Sequence, residues 1–268
     1  MQTFVIAEIG INHDGDISKA ADLVRAAAAS GASAVKFQCF WGKFPEHAHL
    51  ELTPQEFTQL FDLAESCGLQ WFATGFGQDE VLFLKSLGQR LWKVPSGMAT
   101  CKRYLDLLIY AMGETHRVFL STGMCTEGEV GDAVLHLRHR KRDLDLCVMQ
   151  CTTEYPCPPE HLNLQIIPTL RDVYPKTNTG LSDHSNLLWP PVVAVALGAT
   201  VIEKHLTYDT LAKGPDHAAS ITPPLFKEMV DMISGVEVAL VGDCPVKTPT
   251  TQELKIRATI REENAQCL

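Results

Sequence analysis

No Cys-x-x-Cys pair occurs among the nine cysteines of this 268-residue chain. That removes the usual zinc-ribbon reading and leaves free thiols, the state expected in a reducing cytosol. No Gly-x-Gly-x-x-Gly fingerprint follows an apolar run, which weakens a dinucleotide-binding open sheet. Long hydrophobic runs are also missing. The stretch Trp189 to Ala199 is about half of the ~20 residues a spanning helix needs, so no membrane partner is expected. Met1 to Gly10 lacks the basic segment and long apolar stretch of a signal peptide, and a cytoplasmic protein is expected. Positive charge is in short supply: 23 Lys and Arg stand against 32 Asp and Glu, a formal net charge of −9. Such a balance offers no electrostatic footprint for nucleic acid. It also means that a phosphate-bearing ligand would be captured by a local cluster of cations and not by the overall field.

What is present is ordinary globular material, 46% hydrophobic and 21% charged. Short β-branched runs begin near Thr3, Ser33, Gln70, Leu91, Arg117, Leu144, Asn178 and Val201, on average about 28 residues apart, close to one βα unit of a barrel. Helix patterns lie between them. Ile17 to Ala29 is followed by Ser30-Gly31, a C-cap signal. Thr53 to Cys67 opens with Thr-Pro and has Glu56 three residues after Thr53, a capping box. Further helices are expected over Asp79 to Leu87, Cys101 to Met112, Glu127 to Leu137, Leu162 to Asp172, Leu187 to Leu197 and Pro223 to Leu240. Eight such alternations imply parallel strands. The expected architecture is a single-domain α/β fold, a (β/α)8 TIM barrel over residues 1–243 with a C-terminal extension over 244–268. A doubly wound open sheet is the competing arrangement. The basic run His136 to Arg142 reads as a solvated helix end.

The functional signal is positional. Almost every strand candidate is apolar until its C-terminal end, where polar groups gather: Glu8; Lys36 and Gln38; Thr74; Lys93, then Ser96; Ser121; Cys151 to Tyr155; Ser182 to His184; and Glu203 to His205. In a barrel all eight ends converge on one mouth. A lone strand-end lysine is more often a surface residue, and a lone serine usually caps a helix. Eight polar ends together are hard to explain as core decoration, because unpaired buried polar groups cost several kcal/mol. Lys36 and Lys93 with Ser96, Thr74, Ser121 and Ser182 suit an anion carrying phosphate, with or without a carboxylate. His184 and His205, at the ends of neighbouring strands, could hold a divalent metal with open positions, work as acid and base, or form a bonded core pair. Asp216 and His217 lie in a loop over the same mouth.

The segments AEIGINHDG (from Ala7), VKFQ (from Val35), KVPSG (from Lys93), LSTGM (from Leu120), CTTEYPCP (from Cys151), GLSDH (from Gly180), IEKHLT (from Ile202) and GPDH (from Gly214) together resemble the sialic acid synthase family, which includes N-acetylneuraminate, legionaminate and pseudaminate synthases. The resemblance implies a barrel enzyme that condenses phosphoenolpyruvate with an open-chain sugar aldehyde of the N-acetylmannosamine type, with Mn²⁺ or Mg²⁺ required. By position, it implies metal ligation by His184 and His205, and phosphoenolpyruvate binding by Lys36, Lys93, Ser96, Ser121 and Ser182, with Thr74 beside them. It implies proton handling by Glu8, and sugar contacts by Tyr155, Gln38 and Asp216. Thr153 stands where the family often has Asn or Ser, Met98 where it usually has a glutamate, and Ala73-Thr74-Gly75-Phe76 where it reads Ser-Thr-Pro-Phe. Full-length members carry a further antifreeze-like domain; here a short tail is expected instead, with a possible homodimer. Two alternatives stand beside this reading: a 2-keto acid lyase or aldolase on the same barrel, and a variant synthase taking a non-acylated aldehyde.

Overall fold

A computed structural model describes residues 2–113, 116–241 and 247–266. Among them, strands β1 (Phe4–Gly10), β2 (Ala34–Cys39), β3 (Gln70–Gly75), β4 (Leu91–Val94), β5 (Arg117–Ser121), β6 (Asp145–Cys151), β7 (Asn178–Asp183) and β8 (Val201–His205) alternate with helices α1 (Ile17–Ala29), α2 (Pro54–Ser66), α3 (Gln78–Ser86), α4 (Lys102–Ala111), α5 (Glu127–Arg140), α6 (Ile166–Val173), α7 (Trp189–Ala196) and α8 (Pro223–Ala239). A further helix, α9 (Thr251–Gln266), follows. The expected 243/244 boundary lies outside the described residues. All strand ladders are parallel, in the order β3-β2-β1-β8-β7-β6-β5-β4. β3 and β4 stand side by side and bring the sheet round into a nearly closed barrel. The helix expected over 162–172 starts later, at Ile166, because Asn163 takes a left-handed φ of +46° that interrupts a helix before it. No described helix is long and apolar enough to cross a membrane.

Local chemistry accounts for the helix starts. Asp16 accepts from the backbone of Ser18 and Lys19 to cap α1. The capping box at Thr53 and Glu56 starts α2, and a second, at Thr126 and Glu129, starts α5. On α1, Ala20, Leu23, Val24 and Ala27 are buried, the 3–4 spacing that lays one helical face on the sheet.

Strand alternation fixes what the barrel encloses. At its lower end the enclosed residues are Ile6, Ala34, Phe72, Leu91, Phe119, Cys147, Met149 and Val201, one buried apolar cluster. Phe119 packs between Phe4 (6.0 Å between centroids) and Phe72 (5.5 Å). Gly180 completes this layer; a Cβ there would meet the Val201 carbonyl oxygen at 2.7 Å and Cys147 Sγ at 3.1 Å. One alternation further along each strand stand Glu8, Lys36, Thr74, Lys93, Ser121, Cys151, Ser182 and Glu203.

Candidate active site

Those eight residues line a cavity of about 430 Å³ at the C-terminal end of the barrel. Gln38, Ser96, Thr153, Tyr155, His184, His205 and Asp216 line it as well, so every side chain expected from the sequence reaches one space. Met98 does not line it; it packs against the core between barrel and helices.

The floor is a chain of four buried charges. Lys36 Nζ lies 2.8 Å from Glu8 Oε2 and 3.6 Å from Glu203 Oε1, and Lys93 Nζ lies 2.6 Å from both oxygens of Glu203. Ser182 Oγ donates to Glu203 Oε1 at 3.1 Å. The two carboxyls behave oppositely. Burial, with the Glu203 charge adding to it, raises Glu8 to about 7 against the pull of Lys36. Burial also opposes ionisation of Glu203, yet Lys36 and Lys93 outweigh it and hold that carboxyl at about 2. At neutral pH the floor is therefore two ammonium groups, one firm carboxylate and one carboxyl able to gain or lose a proton, which is receptive to an anion. Beside these charges, Thr74 Oγ1, Ser121 Oγ and Thr153 Oγ1 are buried without a hydrogen-bond partner. Buried hydroxyls are normally satisfied, so these point to a polar ligand.

β1 ends in a local register shift between Glu8 and Gly10. Gly10 has φ +56°, and a Cβ on it would approach Glu8 Oε1 (3.1 Å), Gln38 Nε2 (3.3 Å) and Asp216 Oδ2 (3.3 Å). Glycine thus permits both the left-handed turn and the gathering of three polar tips. Gln38 Nε2 spans Glu8 Oε1 and Asp216 Oδ2, 3.4 Å from each. Burial raises the Asp216 carboxyl.

The imidazoles stand at the ends of β7 and β8, next to β1. The rings of His184 and His205 stand edge to face with centroids 5.5 Å apart. His184 Nδ1 donates to the Thr152 carbonyl oxygen at 2.7 Å, which leaves Nε2 as the basic nitrogen; Tyr155 OH reaches it at 3.0 Å while its ring stacks on the imidazole. A backbone partner on the far nitrogen is the pattern seen in metal-ligating histidines. Burial, reinforced by His184, pushes His205 well below the ordinary histidine range, so it is neutral, and its Nδ1 has no hydrogen bond. No cluster of three or more His, Cys, Asp or Glu placed to hold a metal is found among the described residues. The two imidazoles fit an open divalent site whose other positions are left to water or substrate oxygens. Behind them, Lys204 Nζ and Asp183 Oδ2 form a fully buried pair at 2.5 Å that faces away from the cavity.

Sequence reasoning noted Glu203 at the end of β8 but gave it no role. Its place two residues before His205, on the same strand face, is the signal that would have found it. An aromatic wall of Phe40, Phe44 and Phe76, beside His47, was also missed; these residues sit on loops, where no periodicity marks them.

Comparison with known proteins agrees with this geometry. The NeuB family model matches residues 42–244. The chain is 37% identical to an N,N'-diacetyllegionaminic acid synthase of Legionella pneumophila, over 97% of this chain and 79% of that protein. It is 32% identical to the N-acetylneuraminate-9-phosphate synthase of Homo sapiens, over 97% and 76% respectively. Among solved structures, the N-acetylneuraminic acid synthetase of Leptospira borgpetersenii in complex with citrate superposes with a TM-score of 0.87 at 28% identity, covering 97% of this chain and 93% of that one. With a matching family model over most of its length and relatives above 30% identity along nearly all of it, the chain belongs to the NeuB family, the family of sialic acid synthase-like enzymes.

Proposed function

We propose that this enzyme joins phosphoenolpyruvate to an open-chain sugar aldehyde of the N-acetylmannosamine type, releasing phosphate and a 2-keto-3-deoxy sugar acid. The observation that carries the reading is the floor of the cavity, where two buried ammonium groups and three unpartnered hydroxyls face the same enclosed space. Lys36 and Lys93 hold the phosphate and carboxylate, with Ser96, Thr74, Ser121 and Ser182 donating to the remaining oxygens. Tyr155, Gln38, Thr153 and Asp216 orient the aldehyde so that its carbonyl carbon meets C3 of phosphoenolpyruvate. Such positioning can be worth ~7–11 kcal/mol. The new C–C bond uses the enol π-electrons, the aldehyde oxygen takes a proton, and C2 is left electron-poor. Water adds there, Glu8 accepts one of its protons in place of the proton given to the aldehyde oxygen, and the C2–O bond to phosphate breaks to give the ketone, the remaining hydroxyl proton leaving with the phosphate. His184 and His205 would hold a divalent cation, Mn²⁺ or Mg²⁺, which when bound supplies Lewis-acid polarisation of the aldehyde oxygen.

The test is a panel of aldoses incubated with phosphoenolpyruvate, Mn²⁺ and enzyme, read by phosphate release and by the mass of the product. Phosphate release that needs both substrates and is lost with EDTA is the expected result. Silence with every aldose and divalent metal rejects the proposal. Pyruvate release from sugar acids without phosphoenolpyruvate would favour a lyase instead.

A further inference from the structure

His217 is buried, takes no part in the chemistry above and is bonded at both ring nitrogens. Its Nε2 lies 2.9 Å from Asp14 Oδ1, and its Nδ1 lies 2.7 Å from Thr207 Oγ1. Burial alone would raise the Asp14 carboxyl, but bonds from His217 and Lys19 outweigh it and hold it below the usual range, so it is ionised and can only accept. Nε2 therefore donates to Asp14. Nδ1 is paired with the Thr207 hydroxyl, which also lies 3.3 Å from the Asp209 carbonyl oxygen. Thr207 follows β8 and Asp14 lies in the β1–α1 loop, so one imidazole ties three separate segments together over the mouth.

The residue before it is Asp216, whose carboxylate reaches into the cavity. That carboxylate is held only loosely by its own contacts, Gln38 Nε2 at 3.4 Å and His205 Nδ1 at 3.7 Å. Its backbone, in contrast, is held firmly. The Asp216 carbonyl oxygen accepts from Ser220 Oγ at 2.6 Å, and Asn12 Nδ2 donates to Ser220 Oγ at 2.9 Å and to the Leu206 carbonyl at 3.0 Å. The imidazole also fills the space above Gly214, where a Cβ would meet it at 2.7 Å. The aim of the Asp216 side chain is thus set from the main chain, and His217 supplies the fixed point on its C-terminal side.

We propose that His217 is a positioning residue: clasped by Asp14 and Thr207, it sets the Asp216 carboxylate in the cavity beside Gln38 and His205. The kinetic part of this rests on the assignment of Asp216 to the sugar aldehyde; the geometric part does not. Misplacing a substrate-orienting group by about 1 Å can cost on the order of a hundredfold.

Three variants of the full chain test it: His217→Ala, His217→Gln, whose amide can still donate to Asp14 and pair with Thr207, and Thr207→Val, a milder change that removes one of the two bonds. Crystal structures are expected to show the Asp216 carboxylate displaced in His217→Ala, less so in Thr207→Val, and in place in His217→Gln. Steady-state kinetics are expected to show the aldehyde KM raised about ten- to a hundredfold in His217→Ala, with the phosphoenolpyruvate KM changed less than about twofold and recovery in His217→Gln. An unmoved carboxylate in both His217→Ala and Thr207→Val overturns the proposal, as does an equal rise in both KM values. If the wild-type chain turns over no aldehyde, the functional reading fails, and the carboxylate position in the variants still decides the role of His217.

Discussion

The same eight strands carry two unlike layers inside the barrel. Below lie Ile6, Phe72, Phe119, Met149 and their neighbours, packed without a charge; one alternation higher stand Glu8, Lys36, Lys93 and Glu203 in unbroken contact. The lower layer gains by leaving water, about 25 cal/mol per Å² of apolar surface. The upper layer has the opposite balance, since a buried ion pair often contributes less than well-packed hydrophobic residues in its place. A chain that needed only to fold would be served by two apolar layers. The difference teaches where the molecule gives up stability, and the charges sit where a ligand can enter.

That division can be broken by experiment. The largest effect is expected from Lys93→Met, which keeps the stem and removes the ammonium. kcat/KM for phosphoenolpyruvate, measured on the folded fraction, is expected to fall about 10³–10⁴-fold, equivalent to ~4–5.5 kcal/mol. A fall of less than about tenfold would mean that the upper layer is not the anion site. Phe119→Ala probes the other layer. Chemical denaturation is expected to show a loss of about 3–4 kcal/mol, with kcat of the folded fraction changed by less than about an order of magnitude. If activity falls and stability does not, the layers are not separable.

His13 sharpens the comparison from outside it. It lies in the β1–α1 loop, packed near Phe37, with Nε2 buried and unpartnered, so it is a polar ring in apolar surroundings. Burial lowers its pKa from 6.5 to about 4. Between these values the unfolded chain binds the proton and the folded chain does not. The stability that the neutral ring contributes is therefore complete above about pH 6.5 and is lost as pH falls towards 4, by about 1.4 kcal/mol per unit. His13→Gln is expected to flatten this slope in urea unfolding at pH 6.5 and 5. The difference between the two proteins isolates His13 from Glu8, whose raised pKa acts with the opposite sign over the same range.

Much of this was legible before any coordinates. The alternation of short β-branched runs with helical patterns is local, and the capping box at Thr53 and Glu56 was read from four consecutive positions. The polar strand ends were legible because a strand has period two, and Ile6 followed by Glu8, or Leu91 followed by Lys93, shows the change of layer within one strand. Glu203 was seen but left without a role, because its partner Lys93 lies 110 residues away. The clasp around His217 was invisible for the same reason: Asp14 is 203 residues distant, and no pattern along the chain relates them.

The order of residues by itself determined eight βα units, a polar rim at every strand end and the chemical inventory of that rim. Only the tertiary structure decided which groups touch: that Glu203 bridges two lysines while Glu8 is left to share a proton, and that one histidine is tied to backbone and the other left bare. The reason is range. Periodicity and capping act over a few residues, whereas pairing and charge state depend on separations of a few ångströms between side-chain tips, and closure of the barrel is what sets those separations.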